Sequence, residues 1–275
     1  SGNEAAAMLN GLYAALPVAN GVKEVATAEE LTAALADSSI SGITLKGDID
    51  IGSTLTVNRT VTLDLNGNVL KMTGRGSVIK VESGGNLTIA DSNASTPHNF
   101  YPDYKDSAWH IDMWKLDDSG SETVSGGVIT GGGGDQSNGG GVLVAGGTLV
   151  MAGGSIVGCS AMSRGGGVCN NGTFIMSDGM IKGCTSPDGQ YASGGGVRNS
   201  NQFTMTGGMI GDPDNENDAS HVYNTSSQET TLTISGNAKI YTDITNVGIL
   251  NADGGEMSGT MTNDTNRYGT GTITG

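Results

Sequence analysis

Three stretches of the chain open with the same four residues: Gly139-Gly140-Gly141-Val142, Gly165-Gly166-Gly167-Val168 and Gly194-Gly195-Gly196-Val197. Each is followed by the same apolar grid. Leu149, Phe174, Phe203 and Leu232 correspond, as do Met151, Met176, Met205 and Ile234. After a Gly-Gly, Asp-Gly or Gly-Asn turn, so do Ile156, Ile181, Ile210 and Ile240. The repeat is about 25 to 29 residues long, a period at which each unit stacks on the last and none buries its apolar face alone.

Inside each repeat the period is two. Thr148-Leu149-Val150-Met151, Thr173-Phe174-Ile175-Met176 and Gln202-Phe203-Thr204-Met205 alternate, so their side chains face in and out in turn, as on a strand. No helical apolar stripe occurs in 120–275, which excludes helical repeats. Glycine at the corners supplies positive φ. Three short strands with corners fit one turn of a right-handed parallel β-helix, its coils about 4.8 Å apart. The 47 glycines in 275 residues also raise collagen and disorder. Collagen needs a strict three-residue period, and disorder needs few strand-forming runs; neither fits. The expected fold is all-β, a right-handed parallel β-helix solenoid of about seven to nine coils with a short N-terminal helical cap.

The grid extends upstream through Val61–Leu65, Val78–Val81, Asn86-Leu87-Thr88-Ile89 and Gly126-Gly127-Val128-Ile129. Downstream, Val247–Ile249 and the region of Met257 and Met261 read as a last, irregular rung. Thr27-Ala28-Glu29-Glu30 is a capping box ahead of Leu31, Ala34 and Leu35, which predicts a helix over 28–37. A second helical segment is expected from Glu4 to Ala15. An open solenoid end exposes its core and strand edges and needs a cover; helix 28–37 is the candidate. The expected division is an N-terminal helical segment and cap at 1–42, then a β-helix at 43–275 with an insert at 91–124. Thr272-Ile273-Thr274-Gly275 is still strand-like, so the chain reads as a monomeric piece of a longer protein.

Asn170, Asn199 and Asn224 each follow an inward valine by two places. Stacking would set them in a column whose amides bond along the axis; the alternative is three ordinary turn residues. Cys159 and Cys184 hold the same place in adjacent repeats, with Cα atoms expected about 5 Å apart. Parallel stacked side chains often miss disulfide geometry, so two reduced, buried thiols are expected. Cys169 lies beside inward Val168, and alternation turns it outward. No Cys/His spacing suggests zinc.

The formal charge is −15, with 28 acidic against 13 basic residues. Nucleic-acid binding needs a basic surface and is disfavoured, as is an anionic membrane surface. No apolar run is long enough to span a membrane. The Ser1-Gly2 start has no basic n-region, as expected where a leader has been removed ahead of it.

The GGGV–x–FTMxGGxI pattern resembles the β-helical repeats of large, adhesin-like surface proteins of gut-dwelling Gram-positive bacteria. It is also similar to the GGA(I/V) repeats of chlamydial polymorphic membrane proteins, within the broader pectate-lyase superfamily. The resemblance covers residues 43–262. It implies a secreted or cell-surface location and an adhesin-type role. The same fold carries lyases, hydrolases, adhesins and phage spikes.

The insert at 91–124 is the most unusual segment. It holds Phe100, Tyr101, Tyr104, Trp109 and Trp114, five of the twelve aromatic residues. Solenoid insertions project from one face, often the binding face. Trp109-His-Ile111-Asp-Met113-Trp-Lys115 alternates, which suits a projecting hairpin. Tyr101, Tyr104, Trp109 and Trp114 are the candidate platform for a glycan or a host surface protein. The alternative is that Trp109, Ile111 and Met113 pack the insert onto the coil flank. A polysaccharide lyase or glycoside hydrolase would use Asp103, Asp106 and Asp112, converging only if the insert folds over the coils. The polygalacturonase signatures, GxSxG and the P-loop are absent, so a non-catalytic stalk with a binding surface is the favoured reading. Asp212-Pro-Asp214-Asn-Glu216-Asn-Asp218 alternates acids. Asp212, Asp214, Glu216 and Asp218 are the candidate Ca²⁺ donors if any metal binds, although Tyr223 stands where an EF-hand carries Glu. The alternative is a solvated acidic loop.

Overall fold

The computed structural model describes residues 21–103, 113–134, 138–186, 194–214, 218–225, 229–263 and 272–274. The expected helix at Glu4 to Ala15 lies outside them. Among the described residues the chain is mostly β-strand with one helix, Ala28–Ala36. Thr27 caps that helix: its Oγ1 accepts the Glu30 N–H at 3.2 Å. Glu30 reaches back to the Ala26 N–H at 2.8 Å. Leu31, Ala34 and Leu35 are buried and join the same apolar core as the strands. Arg59 closes the other end by donating to the carbonyls of Ala34, Leu35 and Ile40.

The strands form a 14-stranded sheet, an eight-stranded sheet and a small three-stranded sheet. In the two large sheets every named strand pair is parallel. Along the repeats the chain passes from one sheet to the other and returns one strand further on. Equivalent residues of successive repeats therefore become cross-strand partners. Leu87, Leu149, Phe174, Phe203, Leu232 and Leu250 form one column. Ile89, Met151, Met176, Met205 and Ile234 form a second. Leu70, Ile129, Ile156, Ile181, Ile210 and Ile240 form a third. All are buried in one continuous core. Phe174 and Phe203 stack with ring centroids 4.5 Å apart at 10°. The methionines adapt to the space beside these rings, as flexible thioethers do.

The GGGV motif has a division of labour. Gly165 has φ +60°, and a Cβ on it would collide with the Val168 carbonyl. Gly166 lies so close to the carbonyls of Thr185 and Gly195 in the next repeat that a side chain there would push the coils apart. The motif therefore sets both the corner and the stacking distance.

In the eight-stranded sheet Ile79, Val142, Val168, Val197, Val222 and Ile244 stack inward. The position two residues on is Val81, then Val144, then asparagine in every later strand. Asn170, Asn199, Asn224, Asn246 and Asn263 form an amide ladder. Each Nδ2 donates to the next Oδ1, at 2.7, 2.8, 2.8 and 3.0 Å in order. The second amide hydrogen of Asn170, Asn199 and Asn224 goes to a backbone carbonyl of the following repeat, at Gln202, Thr231 and Ile249. The ladder is two asparagines longer than the three that the valine spacing singled out. Ile244 and Met261 replace valine ahead of the last two, which hid them.

All three cysteines are free. Burial pushes the Cys184 thiol well up, reinforced by the neighbouring Cys159. Cys169 occupies the expected outward position, between Leu143 and Arg198, and is nevertheless buried. Its burial raises the thiol pKa, and Arg198 and Arg164 oppose that rise. Outward on a strand is thus not the same as exposed when long side chains fold over the sheet.

Candidate functional site

The insert forms the three-stranded antiparallel sheet, with Pro97–Asp103 between Met113–Leu116 and Glu122–Ser125. Trp114 pairs with Pro102, Leu116 with Phe100, and Val124 with His98. These residues share the inner face. The column Val69, Val128 and Ser155, with Val157 beside it, turns away from the main core. Phe100, Trp114 and Val124 cover Val69, Val128 and Val157 to make a second apolar cluster. The insert is therefore docked along the flank of the large sheet. Asp91 anchors its base by accepting the N–H groups of Gly67 at 2.7 Å and Gly127 at 2.8 Å.

Trp114 is only 3% exposed. Its backbone N–H donates to the Gly183 carbonyl at 3.3 Å. Gly183 has φ +59°, and any Cβ there would strike the indole. Lys182 Nζ lies 4.4 Å from the ring centroid. The same ammonium pairs with Asp212 Oδ2 at 2.8 Å and approaches Glu122 Oε2 at 4.0 Å. One buried lysine thus joins the insert, the coil flank and the acidic segment. A cation over an indole contributes about 2 kcal/mol when desolvated.

Of the candidate platform, Trp114 therefore faces inward and serves docking. Within the alternating stretch the structure buries Trp114 and leaves Lys115 exposed. Tyr101 is 54% exposed and lies opposite Lys115 on the outer face. Beside it, Thr123 donates to Asn99 Oδ1 at 3.1 Å. Tyr104, Trp109, Asp106 and Asp112 lie outside the described residues. Asp103 ends the central strand of the insert.

The candidate calcium donors do other work where they are described. Asp212 pairs with Lys182, and its Oδ1 accepts the Asp214 N–H at 3.1 Å. Asp218 accepts the Gly183 N–H on both oxygens at 3.2 Å and the Ser220 N–H at 2.8 Å. Burial raises the Asp218 carboxyl above the usual range, opposed by those hydrogen bonds. Asp214 is exposed, and Glu216 lies outside the described residues. Among the described residues no group of three His, Cys, Asp or Glu side chains is placed to hold a metal. The roles of Lys182 and Asp212 were not legible in the sequence, because 30 residues and three strands separate them.

A family model described as "Putative pectate lyase-like adhesive domain" matches residues 22–124. That span runs from the first strand through the cap helix to the last strand of the insert. Nothing matches among curated proteins or solved structures. No helix among the described residues is long and apolar enough to cross a membrane.

Proposed function

We propose that this chain is a non-catalytic, secreted or cell-surface segment. Its body is a right-handed parallel β-helix, with an N-terminal cap at 1–42 and coils from 43 onward, and it works as a stalk. The insert works as an adhesin-type binding surface for a glycan or a host protein. The observation that carries the reading is the match of residues 22–124 to an adhesive domain, a span that contains the one aromatic-rich insert. The docked sheet supports it. Burial of Trp114 fixes the insert on a rigid flank while Tyr101 stays outside, and a preorganised platform loses less entropy on binding. Tyr104 and Trp109 complete the proposed contact. The strongly acidic chain favours neutral glycans or basic protein patches over anionic ligands.

The test compares retention with turnover. The protein is applied to surfaces coated with mucin, plant glycans and pectin. The same glycans are then assayed for new reducing ends and unsaturated products. Retention without product supports the binding reading. Turnover that disappears on replacing Asp103, Asp106 or Asp112 overturns it in favour of a polysaccharide-active enzyme.

A further inference from the structure

The inward isoleucine column ends at a corner, and the corner residues stack. In the repeats that end at Val157 and Lys182 the corner glycines are Gly158 and Gly183, and Trp114 lies against both. In the next three repeats the corner carries Gly211, Tyr241 and Ser258, whose N–H groups bond to the carbonyls of Ile181, Ile210 and Ile240. No insert residue covers that stretch among the described residues. It opens as a cleft of about 280 Å³, lined by Asp212, Asp218, His221, Tyr241, Thr242 and Asp243, among others. The volume lies just below the range common for small-molecule sites.

We propose that this cleft binds one or two sugar rings of a neutral glycan. The inference deepens the adhesive reading by adding a second contact below the insert. Four observations support it. Among the described residues the groove is filled by Trp114 beside Gly158 and Gly183 and is open beside Tyr241 and Ser258. Ser258 and Thr260 place exposed hydroxyl side chains on its lining. Asp243 commits one oxygen to the Thr260 N–H at 2.8 Å and has a second available to a sugar hydroxyl. Tyr241 supplies an aromatic body with a polar tip, which suits a pyranose ring. The charge balance selects against acidic sugars. Asp212 is matched by Lys182, but Asp243 and Asp218 have no cation partner at salt-bridge distance among the described residues. A uronate carboxylate would meet like charge.

The experiment is a calorimetric or NMR titration of the folded protein with the methyl glycosides of glucose, galactose, mannose and galacturonate. At least one neutral glycoside should bind, and galacturonate should bind roughly tenfold more weakly or not at all. Tyr241→Ala and Asp243→Asn should each weaken the neutral ligand by roughly tenfold. Asp243→Asn should leave the melting temperature unchanged, because its amide oxygen still accepts the Thr260 N–H. Absence of neutral binding, equal binding of galacturonate, or unchanged binding in both variants overturns the proposal. Tyr101→Ala should not alter this titration, so the outcome is separable from adhesion by the insert. Loss of the cleft result with retained adhesion sinks the cleft alone.

Discussion

Asn170 donates through Nδ2 to Oδ1 of Asn199 at 2.7 Å, and both side chains are fully buried. The bond is one rung of a ladder in which Asn199, Asn224 and Asn246 each donate to one neighbouring asparagine and accept from the other. Asn199→Val would leave the Asn170 amide hydrogen and the Asn224 carbonyl buried without partners. The expected cost is about 2–4 kcal/mol, from two orphaned groups. Converting all five ladder asparagines to valine should cost less than five single losses summed, since Val57, Val81 and Val144 already fill this column upstream. Denaturant melts of the single and fivefold variants measure the difference; additive losses would refute the ladder as a cooperative unit.

The Lys182–Asp212 pair yields a double-mutant cycle. Lys182→Met leaves the Asp212 carboxylate buried and uncompensated, at an expected cost of about 3–5 kcal/mol. The double variant Lys182→Met with Asp212→Leu should recover much of that loss. If the double variant is no more stable than Lys182→Met alone, the pair does not anchor the segment.

Asp218 gives a pH dependence with a defined sign. Its carboxyl pKa is raised in the folded protein, chiefly by burial. The folded state therefore holds the proton more tightly than the unfolded state. The stability this group contributes is present below the unfolded carboxylate pKa and is lost as pH rises through the raised folded value. Asp218→Asn keeps an oxygen for the Gly183 and Ser220 N–H groups and removes the charge. Its melting temperature near neutral pH should equal or exceed that of the parent, with a smaller change on acidification. Asp218→Ala should lose about 2 kcal/mol by orphaning those donors. A parent and an Asn variant with identical pH profiles would contradict the assignment.

Phe174→Ala should cost about 3–5 kcal/mol. Its ring is stacked on Phe203 and fully buried, so the loss should appear in both flanking repeats by hydrogen exchange. An unchanged melt would remove Phe174 from the core.

The repeat made the core legible, because translation by one unit carries Leu149 onto Phe174 and Phe203, and alternation assigns their side. The cap was legible for a local reason: Thr27 and Glu30 stand three residues apart. The insert obeyed neither rule. Its sheet is antiparallel and non-repeating, and the side that Trp114 takes depends on Gly183, 69 residues later. Alternation gave Cys169 its outward direction but not its cover, because side chains from neighbouring strands do not show in a period of two. That Lys182 and the Gly183 N–H lie beside Asp212 and Asp218 cannot be read from a row of acids, because these partners come from an earlier repeat.

The central claim is that the docked insert presents a contact surface built around Tyr101. The most direct measurement is retention on mucin-coated surfaces of the parent and of Tyr101→Ala combined with Trp109→Ala. Circular dichroism and melting are recorded on the same samples. The account predicts an unchanged melt and roughly tenfold weaker retention, the scale of an aromatic hot spot. Undiminished retention by a folded variant would contradict it.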